Sequence, residues 1–143
     1  RHGSQRILVY ELLSGGDVHQ RIRWAREGIR PFSGEQRTSV ALDAAQGISH
    51  LHYSKPKAFH RDIKTPNIIL DRKDTAKVGD FGLACIAQSD GTHTVKQTAG
   101  TVGYVCPHYI RSGVVSEATE VYAFGCVLLE LLTGTPPAVQ VRE

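Results

Sequence analysis

The chain has 143 residues, of which 41% are hydrophobic and 22% are charged. This balance is typical of one folded domain and excludes an extended disordered chain. The net charge of +3 is mild, and no dense cluster of Lys and Arg indicates a nucleic-acid partner.

The spacing of the cysteines and the length of the apolar stretches argue against several further classes of protein. The three cysteines show no CxxC or His/Cys spacing, which argues against a metal site, and their odd number fits a reducing compartment. The first residues lack the pattern of a signal peptide. The longest apolar stretch, 121–132, contains Glu130 and is too short to span a bilayer.

The first predicted element is a buried strand at 7–13, because the sequence ILVYELL is apolar and partly β-branched. Ser and Gly at 14–16 stop this strand. Asp17 then occupies the position of a helix N-cap, and a short helix is predicted over 18–26.

A longer helix is predicted to begin after Ser33. Gln36 lies where a capping box requires a Glu or Gln. Apolar residues then recur at three- and four-residue spacing and predict one buried helix face. They are Val40, Ala41, Ala44, Ala45, Ile48 and Leu51.

Two short apolar pieces, 68–70 and 76–78, flank a polar turn and predict a β-hairpin. The region 80–108 is rich in Gly, Ser and Thr, and a loop of this length in a compact domain is usually functional. A last helix, over 119–132, is apolar on nearly every face. It is predicted to lie in a core and to stop at 133–134.

The chemistry-bearing motifs are HRDIKTPN at 60–67 and DFG at 80–82. Each motif alone is a weak signal, but both in this order around a predicted hairpin form a specific one. They supply the carboxylates, the amine and the amide that phosphoryl transfer requires. These groups belong to Asp62, Lys64, Asn67 and Asp80.

Each of these side chains suits a separate task. Asp62 can accept a hydrogen bond from an incoming hydroxyl and later take its proton, and Lys64 can neutralise charge on the phosphate being transferred. Asn67 offers a neutral oxygen ligand, and Asp80 an anionic one, for magnesium. The sequence therefore predicts ATP and Mg²⁺ as cofactors.

The chain resembles the catalytic segment of eukaryotic protein kinases over nearly its whole length. It is most similar to the tyrosine-kinase-like branch, which holds plant receptor-like kinases and the Pelle and interleukin-receptor-associated kinases. Four segments carry this closer resemblance: LVYELLSGGDV at 8–18, ALDAAQGISHLH at 41–52, GTVGY at 100–104 and EVYAFGCVLLELLTG at 120–134.

The resemblance implies an α+β fold of the protein-kinase type, present here as a fragment. Residues 1–16 would form the end of the small lobe and the hinge, and residues 17–143 an incomplete, mainly helical large lobe. A cytoplasmic location follows from this resemblance, either for the chain alone or as the intracellular part of a larger, membrane-tethered protein.

The resemblance also implies a nucleotide pocket. Tyr10 matches the gatekeeper at its back, and Glu11 and Leu13 match the hinge residues whose backbone bonds the adenine edge. Asp17 lies near the ribose position, and Ile69 matches the apolar floor under the base. From pattern alone, Tyr10, Leu13 and Ile69 would be read as ordinary core residues.

Two residues point to the substrate. In the family, a lysine at the position of Lys64 together with a threonine at that of Thr101 belongs to serine/threonine kinases. The resemblance implies that Thr101 bonds Asp62 and Lys64. A protein with Ser/Thr hydroxyls is thus the expected substrate.

Arg61 suggests regulation, because such an arginine can pair with a phosphate on the activation loop and order it. The candidate acceptors are Thr92, Thr94 and Thr98, with Ser89 less favoured. The alternative is that these are ordinary polar loop residues.

The chain departs from the family pattern at two places. It has Cys106-Pro107-His108 where the family has Ala-Pro-Glu, so His108 cannot supply the anion of a buried ion pair. Glu120 replaces an aspartate that bonds the backbone of the HRD loop, and its longer side chain predicts an altered brace.

The sequence also contains no glycine-rich loop, no VAIK-type lysine and no glutamate partner for it. The isolated chain is therefore predicted to be inactive or nearly so. Two alternatives stay open. One is a pseudokinase or truncated interaction module without catalysis; the other is a small-molecule phosphotransferase, against which Lys64 and the GTVGY segment argue.

Overall fold

The computed structural model of the chain describes residues 7–89 and 91–137. These residues form four α-helices and three two-stranded antiparallel sheets. In chain order the elements are α1 (Val18–Arg26), α2 (Gly34–Tyr53), β1 (Ala58–Phe59), a 3-10 turn (Thr65–Asn67), β2 (Ile68–Leu70), β3 (Ala76–Val78), β4 (Cys85–Ile86), β5 (His93–Thr94), α3 (Pro107–Ser112), β6 (Val114–Val115) and α4 (Glu117–Thr133).

The two N-terminal helices begin at the predicted caps. The Asp17 carboxylate accepts the backbone N–H of Gln20 at 2.8 Å, which satisfies one of the unpaired amides of α1. Ser33 and Gln36 form the reciprocal capping box that opens α2.

The predicted apolar face of α2 is confirmed at its centre. Val40, Ala44 and Ile48 are buried there. They pack in the main core with residues of α1, of the β2–β3 hairpin and of α4. This core lies beneath the HRD segment, which joins β1 to the 3-10 turn.

The predicted hairpin is also confirmed. β2 pairs with β3 in antiparallel register, with Ile68 opposite Val78 and Leu70 opposite Ala76. Its outer edge receives the chain before α1, because Gly15 donates to the Leu70 carbonyl at 2.8 Å and Leu70 donates to the Gly16 carbonyl at 2.8 Å.

The long Gly-, Ser- and Thr-rich region is ordered by two short pairings. β4 pairs with β1, which precedes the HRD segment, and β5 pairs with β6, which precedes α4. Phe59, Tyr109 and Val115 form a second, smaller core under this region. The region is thus fastened to the rest of the fold at two points, 85–86 and 93–94.

Helix α4 starts two residues earlier than predicted, at a capping box of Ser116 and Thr119, and stops at Gly134 with a left-handed φ of 70°. Its burial was predicted too broadly. Val127 and Leu131 are buried, but Leu129 is 58% and Leu132 is 80% exposed. The helix therefore has one face in the core and one apolar face open to solvent.

The predicted buried strand at 7–13 is wrong. This segment has no strand pairing in the described part of the chain, and Ile7, Val9 and Leu12 are more than 80% exposed. A β-strand needs a neighbouring strand for its backbone hydrogen bonds, and none of the described strands lies beside it. The prediction for residues 1–6 falls outside the described residues.

All three cysteines are free thiols. Within the described ranges, we find no helix that is both long and apolar enough to cross a membrane.

Candidate active site

The HRD segment is held by the side chain of its own histidine. His60 is fully buried, and its Nε2 lies 2.8 Å from the carbonyl oxygen of Gly79, just before the DFG motif. A carbonyl only accepts, so Nε2 carries the proton and Nδ1 accepts the backbone N–H of Asp62 at 3.2 Å. One imidazole therefore links the DFG segment to the backbone of Asp62.

Asp62, Lys64 and Thr101 form a closed triangle of side chains. The Thr101 hydroxyl donates to Asp62 Oδ1 at 2.7 Å, and Lys64 Nζ lies 2.7 Å from Asp62 Oδ2. Lys64 Nζ also donates to Thr101 Oγ1 at 2.8 Å. The predicted contacts of Thr101 with Asp62 and Lys64 are both present.

The environment of Asp62 favours its charged form. Burial alone raises the pKa of its carboxyl, but the hydrogen bonds from Lys64 and Thr101, the positive charge of Lys64 and the hydrogen bond from Asn67 outweigh that effect. The pKa of Asp62 therefore lies below its ordinary value. At neutral pH the group is a carboxylate that can accept a further hydrogen bond.

The hairpin brings the two candidate metal ligands together. Asn67 directly precedes β2, and the backbone N–H of Gly79 donates to the Asn67 carbonyl at 2.8 Å, so Asp80 follows directly across the hairpin. Asn67 uses its amide N–H groups on Asp62, bonding the carbonyl at 2.9 Å and Oδ2 at 3.2 Å.

This donor set fits magnesium. With the nitrogen of the Asn67 amide turned toward Asp62, its Oδ1 is the atom left to act as a ligand. Asp80 is exposed, and Gly82 donates its N–H to Oδ1 at 3.2 Å. Amide and carboxylate oxygens are the ligands that Mg²⁺ prefers.

A cleft of about 550 Å³ opens beside these ligands. It is lined by the predicted nucleotide residues Tyr10, Glu11, Leu13 and Ile69, and it reaches Asp80. Tyr10 is 72% exposed, so the gatekeeper position has no wall behind it in the described chain.

Glu11 and Asp17, two of the residues predicted to bind the nucleotide, also make contacts within the chain. Glu11 Oε2 accepts Lys77 Nζ at 2.5 Å. Asp17 forms an isolated β-bridge with Ile69 while its carboxylate caps α1. The ribose position predicted for Asp17 and the apolar floor predicted at Ile69 are therefore joined by backbone contact.

Arg61 bonds the activation loop in the unphosphorylated chain. Its Nη1 donates to the Leu83 carbonyl at 3.1 Å, and its Nη2 donates to the Tyr109 hydroxyl at 2.9 Å. The same hydroxyl accepts the backbone N–H of Ala99 at 3.1 Å. The guanidinium therefore connects the start of the loop with its end.

The predicted phosphate acceptors occupy different settings in that loop. Thr94 lies in β5 and is exposed, whereas Thr92 and Thr98 are half-buried. Ser89 is exposed at a turn. Among these four candidates, Thr94 and Ser89 are therefore the two that are exposed to solvent.

The altered brace at Glu120 is present. Glu120 is only 3% exposed, and its Oε1 accepts the backbone N–H of Arg61 at 2.6 Å. Its Oε2 lies 2.8 Å from Nε2 of His52, which is also buried. The brace supports Arg61 in a left-handed conformation with φ of 71°, which is rare for a residue with a side chain.

The other departure from the family pattern, at His108, lies on the surface. His108 is exposed on α3, near its N-terminus.

Two buried residues near the site were missed by sequence reasoning. His52 holds Glu120, and Glu130 holds Thr65 and Tyr104. The sequence pattern that could have indicated them is an ionisable residue on an otherwise apolar helix face. Such a residue is almost never fully buried without partners, so a buried partner could have been expected.

The arrangement around Asp62 is that of a protein kinase domain. The chain belongs to the protein kinase domain family, whose model matches residues 1–143. This membership confirms the predicted resemblance and the α+β kinase fold.

The curated relatives place the chain in the receptor-like kinase branch. It is 45% identical over 142 residues to the probable LRR receptor-like serine/threonine-protein kinase RKF3 of Arabidopsis thaliana, covering 99% of this chain and 23% of that protein. It is 40% identical over 135 residues to the Arabidopsis thaliana probable receptor-like serine/threonine-protein kinase At4g34500, covering 94% and 31%. The receptor protein kinase WSS1 of Oryza sativa subsp. japonica is 42% identical over 135 residues, covering 93% and 15%. The chain thus spans less than a third of the length of these relatives.

Proposed function

We propose that this chain is the catalytic segment of a serine/threonine protein kinase that uses ATP and Mg²⁺. The observation that carries the proposal is the triangle of Asp62, Lys64 and Thr101. It combines a charged acceptor, a cation and a hydroxyl, which is the set that oriented phosphoryl transfer to an alcohol requires.

In the proposed reaction Asp62 accepts a hydrogen bond from the serine or threonine hydroxyl of the substrate. The hydroxyl oxygen forms a bond to the γ-phosphorus while the bond from that phosphorus to the bridging oxygen breaks. The hydroxyl proton passes to Asp62. Because the pKa of Asp62 is lowered by its partners, its main contribution is orientation of the nucleophile, and proton transfer completes late.

Lys64 and Thr101 complete the acceptor side of the proposed site. Lys64 Nζ, already 2.7 Å from Asp62, places a positive charge beside the phosphoryl group as it transfers. Thr101 fixes the other Asp62 oxygen. As the family resemblance implies, it would also shape the pocket just beyond the target hydroxyl.

Asn67 and Asp80 would hold magnesium next to the phosphates. When bound, the ion supplies charge neutralisation on the phosphate oxygens. Backbone groups of Glu11 and Leu13 would bond the adenine edge, and Ile69 would lie under the base. These three residues line the same cleft as Asp80, which supports a continuous nucleotide site.

The whole protein is proposed to be a receptor-like kinase whose catalytic part works on the cytoplasmic side of a membrane. The names of the relatives support this proposal. The 143 residues contain no glycine-rich loop and no VAIK-type lysine, so the isolated chain is predicted to be inactive or nearly so.

The test uses the longer protein that contains this chain. It is incubated with labelled ATP, Mg²⁺ and a peptide library with serine, threonine or tyrosine acceptors, followed by phosphoamino acid analysis. We expect label on serine and threonine, lost in Asp62→Asn. Transfer only to tyrosine or to small molecules would overturn the proposal, and absence of any transfer would favour the non-catalytic alternative.

A further inference from the structure

Lys77 brings a positive charge to the nucleotide cleft. It is the central residue of β3 and lines the cleft of about 550 Å³ together with Glu11, Ile69 and Asp80. Lys77 lies directly opposite Ile69 in the β2–β3 register, and opposed residues of an antiparallel pair project to the same face. The Lys77 side chain therefore stands on the face that carries the predicted floor under the base.

The ammonium group of Lys77 reaches the hinge segment, residues 11–14. Its Nζ donates to Glu11 Oε2 at 2.5 Å. Because donor and acceptor carry opposite charges, this is a charge-assisted hydrogen bond. The pair thus bridges strand β3 and the segment that precedes α1.

The bond to Lys77 holds a segment that is otherwise open to solvent. Residues 7–13 pair with none of the described strands, and Leu12 is 90% exposed. Backbone hydrogen bonds to β2 fix the chain only further on, at residues 15–16. Glu11 lies before that point, and its side chain is tied to the hairpin by Lys77.

This attachment concerns the part of the hinge segment that would meet the base. In the proposed function, backbone groups of Glu11 and Leu13 bond the adenine edge. They can do so only in one arrangement of the segment, and a segment that is ordered before binding pays less conformational entropy when the ligand arrives. A tether on Glu11 supplies that order next to the groups concerned.

We propose that Lys77 is a positioning residue for the nucleotide, which holds Glu11 so that the backbone of the hinge segment is preset for the adenine edge. The effect on ATP rests on the proposed function. The restraint of the hinge segment does not, because it can be measured without nucleotide. The Lys77 side chain is 48% and that of Glu11 64% exposed. Since exposed pairs are weak, we expect a change in ATP affinity of about two- to fivefold rather than a complete loss.

The first test is isothermal titration calorimetry of ATP and Mg²⁺ binding to the longer protein that contains this chain. Lys77→Met keeps most of the side-chain length and removes the charge, so it should weaken ATP binding by about two- to fivefold. Lys77→Arg keeps a cation that can reach Glu11 and should bind ATP nearly as the wild type does. Equal ATP affinity in Lys77→Met and the wild type would overturn the proposal.

A double-mutant cycle separates positioning from direct contact between Lys77 and the nucleotide. If Lys77 acts through Glu11, Glu11→Met should weaken ATP binding as much as Lys77→Met does, and the double variant should bind no more weakly than either. Losses that multiply in the double variant would show that Lys77 acts on the nucleotide itself, and the positioning role would be wrong.

Lys73→Met is the matched control for charge. It removes the same positive charge from the turn of the same hairpin, where Lys73 is exposed and lines a separate depression beside residues 11–14. ATP affinity should stay at the wild-type value in this variant. An equal loss in Lys73→Met and Lys77→Met would show that net charge, and not the bond to Glu11, determines the affinity.

The second test uses NMR of the 143-residue chain without nucleotide. The heteronuclear NOE of the Glu11 and Leu13 amides reports their picosecond-to-nanosecond motion, and it should fall in Lys77→Met. Unchanged values would overturn the proposal. A fall in these values, together with no ATP binding by the wild-type longer protein, would refute the nucleotide part of the proposed function and leave the restraint of the hinge segment standing.

Discussion

Replacement of Glu120 by alanine tests the altered brace beneath the HRD segment. Glu120 accepts the Arg61 N–H at 2.6 Å and lies 2.8 Å from His52 Nε2, and both Glu120 and His52 are buried. Each buried donor that loses its partner costs about 1–3 kcal/mol. Glu120→Ala removes the acceptor of two such buried groups, so we expect it to lower the free energy of unfolding by roughly 2–6 kcal/mol.

This loss is a large part of a typical domain stability of about 5–15 kcal/mol, so urea unfolding followed by circular dichroism will resolve it. Glu120→Gln should retain most of the stability, because its amide oxygen can still accept the Arg61 N–H. Glu117→Ala is the matched control on the same helix: its ion pair with Lys57 is partly open to solvent and should contribute little. An unfolding midpoint in Glu120→Ala equal to that of Glu117→Ala would show that the bonds of Glu120 do not stabilise the fold.

Three further predictions follow from single contacts. Asp74→Ala should lower the free energy of unfolding by about 3–5 kcal/mol in a urea titration. The reason is that Arg21, which is only 1% exposed, loses its carboxylate partner. A loss below about 1 kcal/mol, the value typical of an exposed ion pair, would contradict this. Gly15→Ala should lower the melting temperature and increase amide exchange at Leu70, since an added Cβ would lie 2.3 Å from a backbone oxygen; wild-type exchange would contradict this. Burial and the neighbouring Glu130 carboxylate raise the pKa of Tyr104, so its hydroxyl stays protonated in the folded state while the unfolded state ionises near pH 10. Stability should therefore fall as pH rises above about 10, and Tyr104→Phe should weaken that dependence; an equal slope in both proteins would contradict it.

Local patterns predicted the elements whose determinants lie close together in sequence. The caps at Asp17 and Ser33 and the alternation around the β2–β3 hairpin concern neighbouring residues, so their structure follows from the sequence. The kinase motifs likewise identified the Asp62 triangle, because its members fall in two short segments that the fold brings together.

No comparable sequence pattern predicted the contacts between residues that lie far apart in the chain. His52 and Glu120 are 68 residues apart and meet only because α2 packs against α4. The buried strand at 7–13 was predicted from its apolar sequence alone, and composition cannot supply the neighbouring strand that pairing requires. The prediction that α4 is buried on nearly every face was wrong for the same reason, since no described element covers Leu129 and Leu132.

The role of Asp62 is tested most directly by the steady-state kinetics of Asp62→Asn in the longer protein that contains this chain. Asp62 touches the acceptor side of the proposed site, so kcat should fall by at least about a hundredfold while the KM for ATP stays close to that of the wild type. Glu35→Gln, a surface change on α2, serves as the control and should leave both constants unchanged. A kcat in Asp62→Asn equal to that of the wild type would show that this carboxylate does not orient the substrate hydroxyl.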